Sequence, residues 1–247
     1  MSDITFLRHS LLEDQWKLVD PMIIKAFPEF SLHSPVIDQY FPDLYKRFDE
    51  YQFVLMQEQT VLGVGNAMPL FCDGAFAAFP EGGVEWGLET AAKQHEAGIE
   101  PNLLCALQIV VDSSKRGMGL SYKAVEHMID LARQHGLKGL IAPVRPNRKE
   151  HHPRMPMEEY VAWKRDDGLP YDDWLRVHVR LGGEILNVCP RSEVVPGTIA
   201  QWEKWAGRKF EASGEYEIEG GLVPITIDLE NDHGLSVEPN IWVIHRV

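Results

Sequence analysis

The stretch "LLCALQIVVDSSKRGMGLSYKAVEHMIDLARQHGLKGLIAPV" (103–144) shows the clearest succession of secondary-structure patterns in the chain. It opens with an unbroken apolar run, 103–111, which is typical of a central strand covered on both faces. It closes with a second strand-like run, 137–144, which follows Gly136, a residue type that commonly ends a helix. The stretch therefore predicts a strand–helix–strand unit, in which two neighbouring parallel strands are joined by a right-handed crossover. Between the two runs, apolar residues recur at helical spacing: Leu120, Ala124, Val125, Met128, Leu131 and Ala132.

The rest of the chain alternates strands and helices, and no repeat, low-complexity tract or Gly/Ser linker divides it. This pattern predicts a single α/β or α+β domain over residues 1–247. Further strands are predicted at 4–10, as a pair within 52–71, and at 184–190, 223–229 and 240–247. Further helices are predicted at 11–30 (broken near Pro21), 34–51 (again interrupted by proline), 84–98, 155–168, 171–183 and 198–207, the last opened by a capping box of Thr198 and Gln201.

Composition excludes several classes of protein. The formal net charge is −13 and no Lys/Arg-rich stripe is present, so we expect no nucleic-acid partner. The apolar runs are too short to span a bilayer and the chain opens without a signal-peptide pattern, so we expect no membrane partner. The three cysteines are widely spaced and odd in number, which predicts a reducing, cytoplasmic location.

A glycine-bearing turn joins the first strand of the 103–144 unit to its helix. A strand, a short turn with glycines and a helix N-terminus together form an anion site, because exposed amides and the positive end of the helix dipole meet there. The P-loop pattern is absent from the chain. The dinucleotide-binding pattern fails because Tyr122 stands where its third glycine belongs.

The segment "VDSSKRGMGLS" (111–121) resembles the acyl-coenzyme A loop of the GNAT superfamily of N-acyltransferases. That family places the loop between a central strand and a helix that is followed by another strand, which is the order predicted for 103–144. The resemblance implies a mixed, mostly antiparallel central sheet flanked by helices, with the parallel unit at 103–144. Ser121 departs from the usual glycine or alanine of the pattern, but it is small.

The resemblance also implies which residues hold acetyl-CoA or another acyl-CoA. Val111 would bond the pantetheine arm through its backbone, and Asn147, just beyond the second parallel strand, would touch the same arm. Arg145, Arg148 and Lys149 could meet its phosphates, or could belong to a solvated loop. The backbone amides that would hold the pyrophosphate belong to Arg116, Gly117, Met118, Gly119, Leu120 and Ser121.

Transfer of an acyl group to an amine needs a neutral amine, a donor for the oxyanion and a proton for the thiolate. In the family a tyrosine often supplies that proton, and the matching position here is His178, four residues before Gly182. His178 also fits a core histidine, since it shares an apolar helix face. Tyr160 is a second candidate donor, and Tyr171 is a third.

A general base is harder to assign from the sequence, because the central strand 103–111 carries no glutamate. Glu85 and Glu89 are conceivable bases, as is a chain of waters. We expect no metal: His151 and His152 are adjacent and cannot easily share one ion, and no other ligand spacing supports zinc.

The resemblance therefore implies a cytoplasmic acyltransferase that moves an acetyl or other acyl group from acyl-CoA to the amine of a small molecule by direct attack. Two alternatives stay open, namely a non-catalytic coenzyme A-binding module and an acyl-CoA decarboxylase-like member of the family. An insert at 145–172 and a C-terminal extension at 190–235 lengthen the chain beyond a minimal member. We expect them to shape the acceptor pocket or a contact in a homodimer.

Overall fold

The computed structural model describes residues 3–11, 15–115 and 117–247. The strands are β1 (Ile4–Arg8), β2 (Gln52–Gln57), β3 (Thr60–Leu70), β4 (Leu103–Val111), β5 (Gly139–Val144), β6 (Glu184–Gly197), β7 (Gly214–Tyr216), β8 (Ile225–Asp228) and β9 (His233–Arg246). The α-helices are α1 (Gln15–Ala26), α2 (Pro35–Arg47), α3 (Gly83–Glu96), α4 (Leu120–Gln134), α5 (Met157–Ala162), α6 (Asp173–Arg180) and α7 (Ile199–Ala206).

The strands form one mixed sheet in the order β1-β2-β3-β4-β5-β9-β8-β7, and β6 also pairs with β9. The β4–β5 pair is parallel, whereas the other pairs are antiparallel. Helices flank this sheet. The predicted fold class, a mostly antiparallel sheet with one parallel strand–helix–strand unit, is confirmed.

The predicted unit at 103–144 is present as β4, α4 and β5. The apolar stripe on α4 faces the sheet, and every residue predicted for that stripe is buried. The buried stripe belongs to the main core, which also holds the inner residues of β4 and β5. A smaller core cluster surrounds the fully buried Trp202 of α7, and another packs Val19 of α1 against the opposite face of the sheet.

Three predictions about the helices are wrong. Helix α1 continues through Pro21, and α2 continues through Pro42, so neither proline breaks its helix. The predicted helix 155–168 ends at Ala162. The chain then turns back on itself between Lys164 and Pro170, with Gly168 in a left-handed conformation (φ 76°) that favours glycine.

None of the helices in the described residues is long and apolar enough to cross a membrane.

Candidate active site

The two central parallel strands separate soon after they meet. Their pairing is limited to Leu104 with Leu140 and Cys105 with Ile141. Strand β4 also shifts register against β3 at Leu107, where one extra residue bulges out of the ladder. Beyond Cys105 the β5-facing edge of β4 has no strand partner among the described residues, so its backbone groups are free to bond a ligand.

The separated strands open into a cleft of about 1610 Å³. Residues 106–111 of β4 and 142–144 of β5 line it. Helices α1, α2 and α6 also contribute lining residues. Among these, Asp20 of α1 and Asp38 of α2 place carboxylates in the cleft. A cleft of this size is large enough for a nucleotide-bearing ligand and a second small molecule together.

The glycine turn lies beside this cleft. Gly117 and Gly119 both adopt left-handed conformations, with φ of 86° and 69°, and the space around each is open. Gly119 precedes α4, and among the described residues no side chain caps the helix or places an acidic group in its first turn. The first amides and the positive end of the helix dipole are therefore available to an anion such as a pyrophosphate.

The structure brings three of the predicted coenzyme A residues to the cleft, namely Val111, Ser121 and Asn147. Met118 is exposed on the turn. Leu120 packs into the core with its side chain, so that it can offer a ligand only its backbone. Arg116, the remaining predicted residue, lies outside the described residues.

Comparisons with known proteins agree with this geometry. Residues 16–153 match the family described as "Acetyltransferase (GNAT) family". The chain is also 33% identical over 249 residues to "Arginine N-acetyltransferase avaD" from Aspergillus versicolor, with 90% of this chain and 85% of that protein covered. The chain belongs to the GNAT acetyltransferase family. It is an acyl-CoA-dependent N-acetyltransferase with acetyl-CoA as its co-substrate.

Solved structures of this family share the fold. The loading GNATL domain of CurA from Lyngbya majuscula superposes with a TM-score of 0.57 at 15% identity, over 99% of this chain and 96% of that one. The GphF GNAT-like decarboxylase in complex with isobutyryl-CoA gives a TM-score of 0.53 at 15% identity, over 99% and 98% of the two chains. At such low identity these likenesses show the fold alone.

His178 of the acetyltransferase lines the cleft from α6 and is 1% exposed. Its Nδ1 lies 3.0 Å from Nε2 of His245, and one of these two nitrogens donates to the other. Burial, with the His245 ring as a smaller contribution, lowers the pKa of His178 to about 3. His178 is therefore neutral at neutral pH, when it can donate a hydrogen bond but is a poor source of a proton.

Neither candidate tyrosine lies among the residues that line the cleft. The Tyr160 hydroxyl is buried and donates to Oδ2 of Asp172 at 2.8 Å. Burial, and secondly the charge of Asp172, raises the pKa of Tyr160 far above its ordinary value. Tyr171 stacks on Trp163 with 3.8 Å between ring centroids. Through these contacts the two tyrosines hold the segment after β5 in place.

Three of the basic residues after β5 are also engaged within the protein. Lys149 is fully buried, and its Nζ donates to the backbone oxygens of His152, Pro153 and Leu222 at 2.7, 3.4 and 2.8 Å. Arg145 donates to both carboxylate oxygens of Glu238, at 2.8 and 3.2 Å. Arg148, which is more exposed and lines the cleft, is engaged as well, because its Nε donates to Oδ2 of Asp173 at 2.6 Å.

The cleft also contains a buried carboxylate that no sequence pattern indicates. Glu193 of β6 lines the cleft and is 6% exposed. Of the two glutamates considered as bases, Glu85 accepts hydrogen bonds from Ser34 and from the amide of Val194, and Glu89 pairs with Lys93 at the surface. Glu193 belongs to no sequence motif. The pairing of β6 with β9 is what places this residue in the cleft.

Proposed function

We propose that this acetyltransferase moves the acetyl group of acetyl-CoA to a primary amine of a small, cationic acceptor. The similar protein from Aspergillus versicolor is named an arginine N-acetyltransferase, and arginine is both an amine and a cation. The carboxylates of Asp20 and Asp38 in the cleft wall suit a positively charged acceptor. The observation that carries the proposal is the early separation of β4 from β5, which opens a site beside the anion-binding turn.

In this proposal the glycine turn and the N-terminus of α4 hold the pyrophosphate, with Val111 and Asn147 along the pantetheine arm. The thioester then enters the gap between β4 and β5. Free backbone N–H groups near the bulge at Leu107 stabilise the oxyanion that forms when the amine attacks the carbonyl carbon.

The attack forms a C–N bond, and collapse of the tetrahedral intermediate breaks the C–S bond. The thiolate takes the second proton of the attacking nitrogen, which yields the amide and free coenzyme A. We keep His178 in this scheme as a hydrogen-bond donor to the sulfur, because its neutral ring faces the cleft from α6. The scheme assigns no covalent enzyme intermediate.

Mass spectrometry of the reaction products tests the proposal. The protein is incubated with acetyl-CoA and, separately, L-arginine, Nα-acetyl-arginine, butylamine or no acceptor. The proposal predicts an acetylated amine and stoichiometric free coenzyme A only when a primary amine is present. Consumption of acyl-CoA that is independent of any amine, or carbon dioxide release from malonyl-CoA, would contradict it and favour the decarboxylase-like alternative.

A further inference from the structure

Buried polar atoms without partners converge on the cleft. Among the described residues, a set of buried side-chain atoms makes no hydrogen bond although their residues all line this cavity. Buried polar groups are normally paired, so a group of unpaired atoms facing one cavity indicates a ligand that pairs with them. The atoms are Ser31 Oγ, Gln108 Oε1, His178 Nε2, Glu193 Oε1 and Asn240 Oδ1.

Most of these atoms are hydrogen-bond acceptors. Asn240 is held in one orientation because its Nδ2 donates to the backbone oxygen of Pro143 at 3.2 Å, which leaves Oδ1 as a free acceptor. Glu193 contributes a carboxylate oxygen, and the Ser31 hydroxyl can accept as well as donate. A ligand that satisfies them must carry several hydrogen-bond donors close together, as the N–H groups of an ammonium ion are.

The strand pairing explains why Glu193 remains free for a ligand. Glu193 of β6 lies directly opposite Glu238 of β9, so two carboxylates share one face of the sheet. The Arg145 guanidinium forms a bidentate salt bridge with Glu238, and the amide of Leu222 donates to the same carboxylate at 2.8 Å. Among the described residues Glu193 forms no salt bridge, so a cationic ligand can pair with its carboxylate.

Resting on the proposed function, we infer that Glu193, Asn240 and Ser31 form the subsite that binds the primary ammonium group of the acceptor, and that Glu193 is the general base that removes its proton. An ammonium group has three N–H donors in a compact arrangement, and these three residues offer three acceptors within one buried wall of the cleft. The ligand's positive charge also gives the Glu193 carboxylate an ionic partner, which it does not have among the described residues.

The proton balance is simple. The Glu193 carboxylate takes one proton from R–NH3⁺, which leaves a neutral amine with a lone pair for the carbonyl carbon. The second proton leaves the nitrogen for the thiolate as the C–S bond breaks. Glu193 then returns its proton to solvent, so that each turnover releases one amide, one coenzyme A and one proton.

The charged groups around Glu193 suit a base. Burial raises the pKa of Glu193 to about 8, with contributions in the same direction from Glu238 and then Glu85, while Arg145 and the nearby Ser31 hydroxyl lower it. A base with a pKa near the working pH has both a useful ionised fraction and the strength to accept a proton from an ammonium group.

Kinetic and binding measurements on Glu193→Gln test the inference. We expect kcat/KM for the amine to fall by at least about 100-fold, while the dissociation constant of acetyl-CoA stays within about twofold of wild type. In wild type, kcat/KM for the amine, which reports the ionisation of groups in the free enzyme, rises with pH through about 8. This rise is absent in Glu193→Gln. Glu184→Gln, at an exposed glutamate that pairs with Arg246, is the matched control and leaves all values unchanged.

A second variant and a binding assay keep the test decisive. Asn240→Leu raises KM for the amine but preserves the pH dependence, because Glu193 is intact. Calorimetric titration with L-arginine and with butylamine measures amine binding without turnover, and we expect Glu193→Gln to abolish it.

The outcomes separate the subsite from the proposed function. If wild type transfers acetyl groups and Glu193→Gln does so within about threefold, the subsite is wrong and the function stands. If amines bind in a Glu193-dependent way but no amine is acetylated, the ammonium subsite stands, while both the assignment of Glu193 as the base and the proposed function fail. If wild type neither binds nor acetylates an amine, both are wrong and the unpaired atoms are hydrated only.

Discussion

The carboxylate of Asp172 connects three parts of the acetyltransferase that meet at the cleft. Its Oδ1 accepts hydrogen bonds from the amides of Trp174 and Leu175, at 2.9 and 3.1 Å, and thereby caps α6. Its Oδ2 accepts from the amide of Arg148 and from the Tyr160 hydroxyl, at 2.9 and 2.8 Å. Because the side chain is 1% exposed, water cannot replace these bonds when it is removed.

Replacement of Asp172 by alanine is expected to cost about 4 kcal/mol of the free energy of unfolding. Loss of an N-cap costs about 1 kcal/mol. The Tyr160 hydroxyl and the Arg148 amide each lose their partner, at about 1.5 kcal/mol apiece. For a chain of this length each kcal/mol lowers Tm by about 2–4 °C, so we expect a decrease of about 8–16 °C. Asp172→Asn keeps one oxygen acceptor and is expected to cost about half as much.

Urea unfolding followed by tryptophan fluorescence measures this cost, with Asp166→Ala, at an exposed loop position, as the control. We also expect KM for acetyl-CoA to rise in Asp172→Ala, because the segment that carries Asn147 is no longer held against α6. A free energy of unfolding for Asp172→Ala within about 1 kcal/mol of wild type would show that Asp172 does not hold these three parts together.

Three further predictions concern buried polar residues. Tyr160→Phe loses one hydrogen bond to a carboxylate, so the free energy of unfolding in urea should fall by about 1.5 kcal/mol while kcat is unchanged. A large fall in kcat at an unchanged free energy of unfolding would instead make Tyr160 a proton donor. Lys149→Met leaves three backbone oxygens without their donor, so the free energy of unfolding should fall by about 3 kcal/mol. Lys204→Met, on the exposed side of α7, is the control and should leave the free energy of unfolding unchanged. The pKa of Glu193 rises on folding from 4.5 to about 8, so between these pH values the native state binds more protons than the unfolded state. The melting temperature of wild type should therefore fall as pH rises through this range. A melting temperature of wild type that does not change with pH, or an unchanged slope in Glu193→Gln, would contradict the placement of Glu193.

The parts of the fold that depend on local pattern could be predicted from the sequence. Apolar spacing along 120–132 predicts the buried face of α4, and the run 103–111 predicts β4 with its bounds. The capping box of Thr198 and Gln201 also forms as predicted. In each case neighbours in the chain decide the conformation, so a short window of sequence contains the information.

The prolines and the segment 155–168 show where local rules fail. Pro21 lies inside α1 although proline removes a helical hydrogen bond, because α1 is held by the burial of Val19 against the sheet. The helical pattern after Pro156 is interrupted at Ala162, where Trp163 leaves the helix to stack on Tyr171. Tertiary contacts outweigh helix propensity at both places.

Only part of the candidate site could be predicted from the sequence. The glycine turn has a local pattern, whereas the gap between β4 and β5 arises from a bulge at Leu107 and from pairing that stops at Cys105. Glu193 enters the cleft because β6 pairs with β9, and it faces Glu238 across that pair. Like charges directly opposite one another destabilise a sheet, and such a local conflict is typical of a functional position.

Calorimetric titration with acetyl-CoA tests most directly whether coenzyme A is bound at the glycine turn. Wild type is compared with Gly119→Trp and with Gly98→Trp. Gly98 is a matched control, because it has a similar φ of 65° and equally open surroundings at the end of α3. We expect wild type and Gly98→Trp to bind acetyl-CoA equally and Gly119→Trp not to bind it. Equal binding by Gly119→Trp and Gly98→Trp would mean that coenzyme A is not held at the glycine turn.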